Sequence, residues 1–322
     1  FKLTLNKAEN SLKNGDQVGI SLKSKGETPI DSVIYKLDDA VLGTKTDLSP
    51  LEIAFDVTKL GAKNLSAQVY AEGKQATLNS KLTFLASETP TLYTYEIVNT
   101  YPHDKSSYTQ GLEFHDNILY ESVGEYGESG LLKTELETGK ILERKDLEKK
   151  YFAEGLTIIN NQLVQLTWRE NVGFVYDLNS FEKTDTFNYG KSKEGWGLCN
   201  DGKAIYKSDG TEDIWTLNAT TLAEESFIQV YTNNGKIPSL NELEWINGKI
   251  YANIYQRNGV VIVNPENGAV EGVLDFSALK EKVKQHPGLD VLNGIAYNPE
   301  SKTIFVTGKR WDKLFEVEVF IK

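Results

Sequence analysis

The chain has 322 residues, 46 acidic and 35 basic side chains and a net charge of -11, and its basic residues are scattered without forming a stripe. That balance describes a globular chain with room for two domains and argues against a nucleic-acid partner. No apolar run reaches the roughly 18 residues of a membrane span, and a lone cysteine, Cys199, excludes an internal disulfide and reads as a core residue.

Residues 1 to 88 alternate apolar and polar with period two. Phe1, Leu3 and Leu5 form one run, Val18, Ile20 and Leu22 a second, and Val33, Tyr35 and Leu37 a third. Leu51, Ile53, Phe55 and Val57 follow, then Leu65, Ala67 and Val69, and finally Leu82 and Phe84. Each run predicts a half-buried strand, and turns such as Asn14-Gly15-Asp16, Gly43 and Gly73 separate them. So many short strands predict a small immunoglobulin-like β-sandwich over 1–88, with no cluster of side chains suited to chemistry. The polar, proline-bearing stretch Ser87-Glu88-Thr89-Pro90 sets the boundary and leaves 89–322 as a second domain.

In that second domain one short pattern recurs. A polar or aromatic residue, a glycine or its substitute, then Leu or Ile stands at Gln110-Gly111-Leu112, Glu154-Gly155-Leu156, Trp196-Gly197-Leu198, Asn241-Glu242-Leu243 and Asn293-Gly294-Ile295. The leading positions are separated by 44, 42, 45 and 52 residues, a period that marks a repeat architecture. Second, third and fourth strands follow each hit, except that the fifth repeat runs out of chain before its fourth. Leu92 to Thr100 is a strand without a repeat of its own, so it can complete the last unit and close a ring. The prediction is an all-β five-bladed β-propeller. A helix is predicted between the fourth and fifth repeats, with Ser277 as N-cap, Leu279 and Val283 on one face and Pro287 beyond its end.

In such a ring equivalent positions converge. Gln110, Glu154, Trp196, Asn241 and Asn293 would meet near one mouth of a central channel, with Trp168, Tyr255 and Lys309 from the ends of the second strands. Packing alone would repeat one residue type; an amide, a carboxylate, an indole and two further amides suit a pocket with a few convergent polar groups. Glu154, flanked by Phe152, Ala153 and Leu156, is placed where its charged form is disfavoured, which makes it a candidate acid/base. Glu121 is a second carboxylate nearby, able to orient a substrate amine or to serve a structural hydrogen bond. His103, His115 and His286 show no metal-ligand spacing and read as surface or turn residues.

Tyr108-Thr-Gln-Gly-Leu112, Phe152-Ala-Glu-Gly-Leu-Thr157, Leu166-Thr-Trp168, Gly195-Trp-Gly-Leu198, Asn241-Glu-Leu-Glu244, Leu292-Asn-Gly-Ile295 and Val306-Thr-Gly-Lys309 together resemble the signature segments of the plant and bacterial glutaminyl cyclases. The resemblance runs from about Leu92 to Lys322 and leaves 1–88 as an added module. It implies a five-bladed propeller that converts the N-terminal glutamine of peptides or proteins to pyroglutamate with release of ammonia, without a metal or other cofactor. It implies Glu154 as the central acid/base, Gln110, Asn241 and Lys309 as its polar companions, and Trp168, Trp196 and Tyr108 as aromatic contacts. Tyr255 stands where the plant enzymes are expected to carry tryptophan, and Ala153 where a bulkier residue can occur.

The chemistry follows without the resemblance. Cyclisation requires the neutral α-amine to attack the γ-carboxamide carbon, so one group must take the amine's proton and give one to the departing ammonia. A single carboxylate tuned toward neutrality serves both steps. Amide NH2 groups or the Lys309 ammonium can face the developing oxyanion, and aromatic walls fold the glutamine side chain and exclude water. Two rival readings stand beside this one: a non-catalytic propeller binding a peptide or sugar in its channel, and a calcium-dependent propeller lactonase, which needs more channel carboxylates. The remaining expectations are a monomer without a membrane span. A chain opening at Phe1 without methionine implies a leader removed by processing or by truncation, and together with the resemblance this implies export to the periplasm or cell surface, with a lipid anchor one option.

Overall fold

The computed structural model describes residues 1–7, 11–24 and 29–322. The chain divides into two compact units, Phe1–Thr89 with Tyr231–Lys236, and Pro90–Val230 with Ile237–Lys322. The first unit holds two sheets. A three-stranded sheet orders Lys2–Leu5, Gln17–Lys23 and Leu51–Ala54; a five-stranded sheet orders Ser11–Leu12, Lys74–Phe84, Gly61–Ala71, Ser32–Leu37 and Ala40–Lys45. The alternating apolar residues face inward, with Val18, Ile20, Val33, Tyr35, Leu65, Ala67, Leu82 and Phe84 fully buried. Phe55 meets the Phe84 ring edge-on at 5.3 Å. The strand Ala40–Lys45 has no counterpart in the sequence reading, which sets a turn at Gly43; Gly43 instead lies within the strand, paired with Tyr35.

The second unit is built from antiparallel meanders. Three are separate four-stranded sheets, running through Thr109–His115 to Ile141–Asp146, Ala153–Ile159 to Lys183–Asn188, and Leu198–Asn200 to Glu224–Gln229. The remaining strands form one eight-stranded sheet. Within it Leu240–Ile246, Lys249–Ile254, Gly259–Val263 and Val270–Asp275 make one meander, and Leu292–Asn298, Thr303–Gly308 and Lys313–Ile321 begin another. Thr91–Pro102 supplies the latter's fourth strand, pairing antiparallel with Lys313–Ile321, while its first residues pair parallel with Val270–Asp275. Residues near the two ends of this unit therefore share one sheet.

The leading strands of the meanders lie backbone against backbone. A Cβ on Gly155 would stand 2.6 Å from the Leu198 nitrogen, and one on Gly197 2.1 Å from the Asn241 carbonyl oxygen. A side chain would not fit such an approach, which accounts for Gly111, Gly155 and Gly197, whereas Gly294 is held at φ +113°, a conformation open to glycine. The same strands are also tied by buried carboxylates, Glu113 and Glu244 toward their other ends and Glu242 directly beside Asn241. Glu113 accepts from the Thr157 hydroxyl at 2.7 Å and the Ile158 amide at 3.1 Å, Glu242 from the Ile295 amide at 2.9 Å, and Glu244 from the Tyr297 amide at 2.8 Å.

The helix expected after Ser277 is a single turn, Ser277–Lys280. Ser277 is not its cap: its amide and hydroxyl both donate to Asp275, which holds the chain in a turn instead. Leu279 and Val283 are buried in the apolar cluster that also contains Trp311 and Phe315. Among the described residues no helix is long and apolar enough to cross a membrane.

Candidate active site

Four of the leading strands carry one extra residue against their neighbour at the same place. The register shifts between Thr109 and Gly111, Ala153 and Leu156, Leu240 and Leu243, and Leu292 and Ile295. A β-bulge re-aims the side chain it carries, and Gln110, Glu154, Asn241 and Asn293 lie inside these bulges, the last three followed there by Gly155, Glu242 and Gly294 respectively. Trp168, Tyr255 and Lys309 each stand immediately after a second strand, at Gln162–Thr167, Lys249–Ile254 and Thr303–Gly308.

The structure gathers most of these side chains around one cavity of about 170 Å³, lined by Tyr108, Gln110, Glu125, Phe152, Glu154, Trp168, Trp196, Asn241, Tyr255 and Lys309. It is smaller than the roughly 300–1,000 Å³ of drug-sized sites, so it takes a side chain rather than a whole peptide. Phe152 packs edge-on against Trp168 at 5.5 Å and Tyr108 at 6.2 Å, and Trp196 edge-on against Tyr255 at 5.5 Å. Glu194, outside the lining, accepts both indole N–H groups through one oxygen, at 2.8 Å from Trp168 and 2.8 Å from Trp196.

Glu154 is 4% exposed. Its Oε1 accepts from Gln110 Nε2 at 3.0 Å, and Oε2 is buried without a partner. Burial lifts its pKa well above the usual carboxylate value; the Lys309 cation opposes that shift, and the Glu194 and Glu170 carboxylates add to it. Lys309 lies within an aromatic frame, its Nζ 4.5 Å from the Tyr108 ring centre and 5.3 Å from that of Tyr255. Burial lowers its pKa, against the pull of Glu154, Asp290 and Glu125. Asn241 contributes a second buried acceptor without a partner, its Oδ1.

Two of the sequence candidates do not line the cavity. Asn293 lies behind Gln110, donating from Nδ2 to the Thr109 carbonyl at 2.9 Å and to Gln110 Oε1 at 3.2 Å. Glu121 is taken up by Thr109 Oγ1 at 2.7 Å, His103 Nε2 at 3.2 Å and Ser107 Oγ at 3.4 Å. His103 is therefore no surface residue: its side chain is 4% exposed, with Nδ1 at 2.7 Å from the Trp311 carbonyl. Desolvation alone would lower its pKa, but the Glu121 carboxylate and that carbonyl outweigh it and raise it.

Two lining residues, Phe152 and Glu125, were not among the sequence candidates, although Phe152 opens one of the quoted motifs. Glu125 sits at φ 91°, outside any strand. A non-glycine residue held there is strained, and such strain clusters at functional sites.

A profile of the family described as "Glutamine cyclotransferase" matches residues 64–319, beginning ahead of Leu92, where the resemblance read from the short motifs starts. The chain is similar to an Arabidopsis thaliana protein named glutaminyl-peptide cyclotransferase, 38% identical over 227 residues, which span 70% of this chain and 71% of that one. Among solved structures it resembles the Myxococcus xanthus glutaminyl cyclase, with a TM-score of 0.67 and 36% identity over 72% of this chain and 99% of that chain.

Proposed function

The chain belongs to the glutamine cyclotransferase family, and from that premise we propose that it is a glutaminyl-peptide cyclotransferase whose proton shuttle is Glu154. The observation that carries the site assignment is the pair of buried, unpartnered acceptors, Glu154 Oε2 and Asn241 Oδ1, in an aromatic cavity that also holds Lys309. Buried acceptors call for N–H donors. An N-terminal glutamine brings two such groups within a few bonds of each other, its backbone α-amine and the carboxamide of its short side chain.

In this reading the aromatic walls fold the side chain so that the amine faces the carboxamide carbon. Ionised Glu154 takes a proton from the attacking amine as the new C–N bond forms. The carbonyl oxygen becomes an oxyanion, stabilised by the Lys309 ammonium. Glu154 then returns the proton to the former carboxamide nitrogen, the C–N bond breaks, and ammonia leaves with the lactam closed. Both steps need a carboxyl that holds a proton more firmly than an ordinary carboxylate, and burial raises the Glu154 pKa in that direction. Gln110 holds Oε1 of Glu154 and leaves Oε2 for the substrate. Asn293, through its bond to Gln110, is a positioning residue.

The same proposal reads the second unit as a five-bladed β-propeller over 89–322. Three separate four-stranded meanders and an eight-stranded sheet divisible into two more support it. It reads residues 1–88 as an immunoglobulin-like β-sandwich, supported by two sheets with alternating buried positions.

The test is ammonia release from a glutamine-initiated peptide by the native protein and by Glu154→Gln. General acid–base catalysis contributes roughly 10²–10⁴-fold, so the variant should lose at least about a hundredfold in kcat while melting like the native protein. Undiminished turnover by Glu154→Gln would remove Glu154 from the mechanism.

A further inference from the structure

Next to the aromatic cavity lies a second, more open one of about 400 Å³, lined by Lys105, Ser106, Lys284, His286, Gly288 and Arg310. Every ionisable group in its lining is basic, on a chain whose net charge is -11. Lys105 and Lys284 are exposed and enter no ion pair among the described residues, and Arg310 reaches the Glu125 carboxylate only at 3.8 Å. The neighbouring carboxylates are committed locally. Asp104 accepts from the Ser106 amide at 2.9 Å and hydroxyl at 2.7 Å, and Asp312 accepts from the Lys284 amide at 2.9 Å.

Two segments run from one cavity into the other. Lys105 and Ser106 line the basic cavity while Tyr108 and Gln110 line the aromatic one; Lys309 faces the aromatic cavity and Arg310 the basic. The Arg310 amide donates to the Ser107 carbonyl at 2.7 Å, which ties the two segments together. The wall between them is one residue thick at Tyr108, whose ring centre is 4.5 Å from Lys309 Nζ and 5.7 Å from the Arg310 guanidinium carbon.

We propose that the basic cavity is a substrate subsite for an acidic side chain, Asp or Glu, a few residues after the N-terminal glutamine. This rests on the cyclase reading of the aromatic cavity. With the glutamine side chain seated there, the peptide must leave through the mouth, and an extended chain advances about 3.3 Å per residue. Crossing a wall of one residue brings the third or fourth residue over Lys105, Lys284 and Arg310. His286 donates from Nε2 to the Arg310 carbonyl at 3.0 Å, so it braces the Arg310 backbone. Charges this exposed act mainly on encounter and register, and salt screens them. The expected preference is therefore a three- to tenfold ratio in kcat/KM, not an absolute requirement.

The experiment compares peptides Gln-Ala-Xaa-Xaa-Ala with Xaa as Glu, Ala or Lys, read by ammonia release at low and high salt. The native protein should favour Glu over Lys by up to about tenfold at low salt and lose the preference as salt rises. Lys105→Glu/Lys284→Glu, both at exposed sites and checked by thermal melting, should abolish or invert the ratio. Lys140→Glu/Lys203→Glu, an equal charge change at two exposed sites that line neither cavity, should leave it as in the native protein. Equal rates for all three peptides in the native protein, or a Glu preference that survives the double substitution, would overturn the subsite. Failure to release ammonia from any of them would instead overturn the cyclase reading, and the subsite with it.

Discussion

Trp168 donates its indole N–H to Glu194 at 2.8 Å, and the same oxygen of Glu194 accepts the indole N–H of Trp196 at 2.8 Å. Two walls of the aromatic cavity thus hang on one atom outside it. Arg169 adds a bond to the other oxygen at 3.1 Å, and its guanidinium carbon lies 3.7 Å from the Trp168 ring centre. Partial burial pushes the Glu194 carboxyl up, but the bonds from Trp196, Trp168 and Arg169 outweigh that and bring it below the usual value, so it is ionised at neutral pH. Hydrogen bonds to a charged group contribute about 1.5–3 kcal/mol each. Glu194→Ala should therefore raise KM by roughly ten- to a hundredfold, with a smaller fall in kcat, because the walls position substrate and take no proton. Glu194→Gln, which keeps an acceptor, should recover part of the loss. Steady-state kinetics with intrinsic tryptophan fluorescence checks this; a KM unchanged in Glu194→Ala would mean that the walls hold themselves.

Lys309 and Glu154 shift one another in predictable directions. Burial holds the Glu154 pKa up, and the Lys309 cation is the one charge among its main influences that pulls it down. Lys309→Met removes that pull, so the pH at which Glu154 becomes an ionised base should rise. The acid limb of kcat/KM should move to higher pH, measured against the native protein on the same neutral peptide so that the substrate amine titrates identically in both. Loss of the oxyanion partner should also cost about 10²–10³-fold in kcat at the plateau. An acid limb that stays in place or moves down would show that Lys309 does not act on Glu154.

At the far ends of the same strands, Glu113 is buried with its pKa raised to about 7, burial outweighing its bonds to Thr157 and Ile158. The ordinary value of 4.5 represents the unfolded chain. A carboxyl raised on folding contributes stability that is fully present below its unfolded pKa and is lost as pH rises through its folded one. The contribution of Glu113 should therefore fall between about pH 4.5 and 7. Melting curves of the native protein and Glu113→Gln should converge or cross over that window, the variant being relatively more stable at pH 8 than at pH 5. A constant difference in Tm across the window would show that Glu113 keeps one protonation state throughout.

The repeat was legible because bulge and close approach leave a mark in the chain: a polar or aromatic residue, then glycine or a substitute, at nearly constant intervals. Eight of the ten site candidates sit on that repeat or immediately beside a strand end, and they line the cavity. Residues whose surroundings are made only by tertiary contact were not legible. His103, between Pro102 and Asp104, reads as a loop residue, and its burial comes from Glu121 and Trp311. Glu121 reads from the sequence as either a substrate contact or a structural hydrogen-bond acceptor, and only its contacts with His103, Ser107 and Thr109 decide for the second. Glu113, Glu242 and Glu244 look like the polar alternates of half-exposed strands, yet each turns to the backbone of the neighbouring leading strand. Glu125 follows Gly124 beyond a strand end, where no periodicity constrains the side chain. Glu194 lies two residues before Trp196, and nothing in its spacing to Trp168 reveals that one oxygen serves both rings.

Close approach at the glycines can be separated from backbone freedom by substitution at two sites. A Cβ on Gly197 would lie 2.1 Å from the Asn241 carbonyl oxygen and 2.8 Å from the Glu242 Cα, both main-chain atoms that cannot swing aside. Gly202, by contrast, has φ +82° and nothing within 4 Å of such a Cβ. Gly202→Ala should cost only the left-handed backbone strain, roughly 1–2 kcal/mol. Gly197→Ala should cost more than that, about 3 kcal/mol, because the strand bearing Asn241 must move away. The same movement displaces Asn241 from the cavity, so activity at a temperature where both variants are folded should fall in Gly197→Ala and persist in Gly202→Ala. Denaturant unfolding with parallel ammonia-release assays decides the matter. Equal costs at the two sites would mean that the leading strands are not in backbone contact, and that the cavity is assembled by its side chains alone.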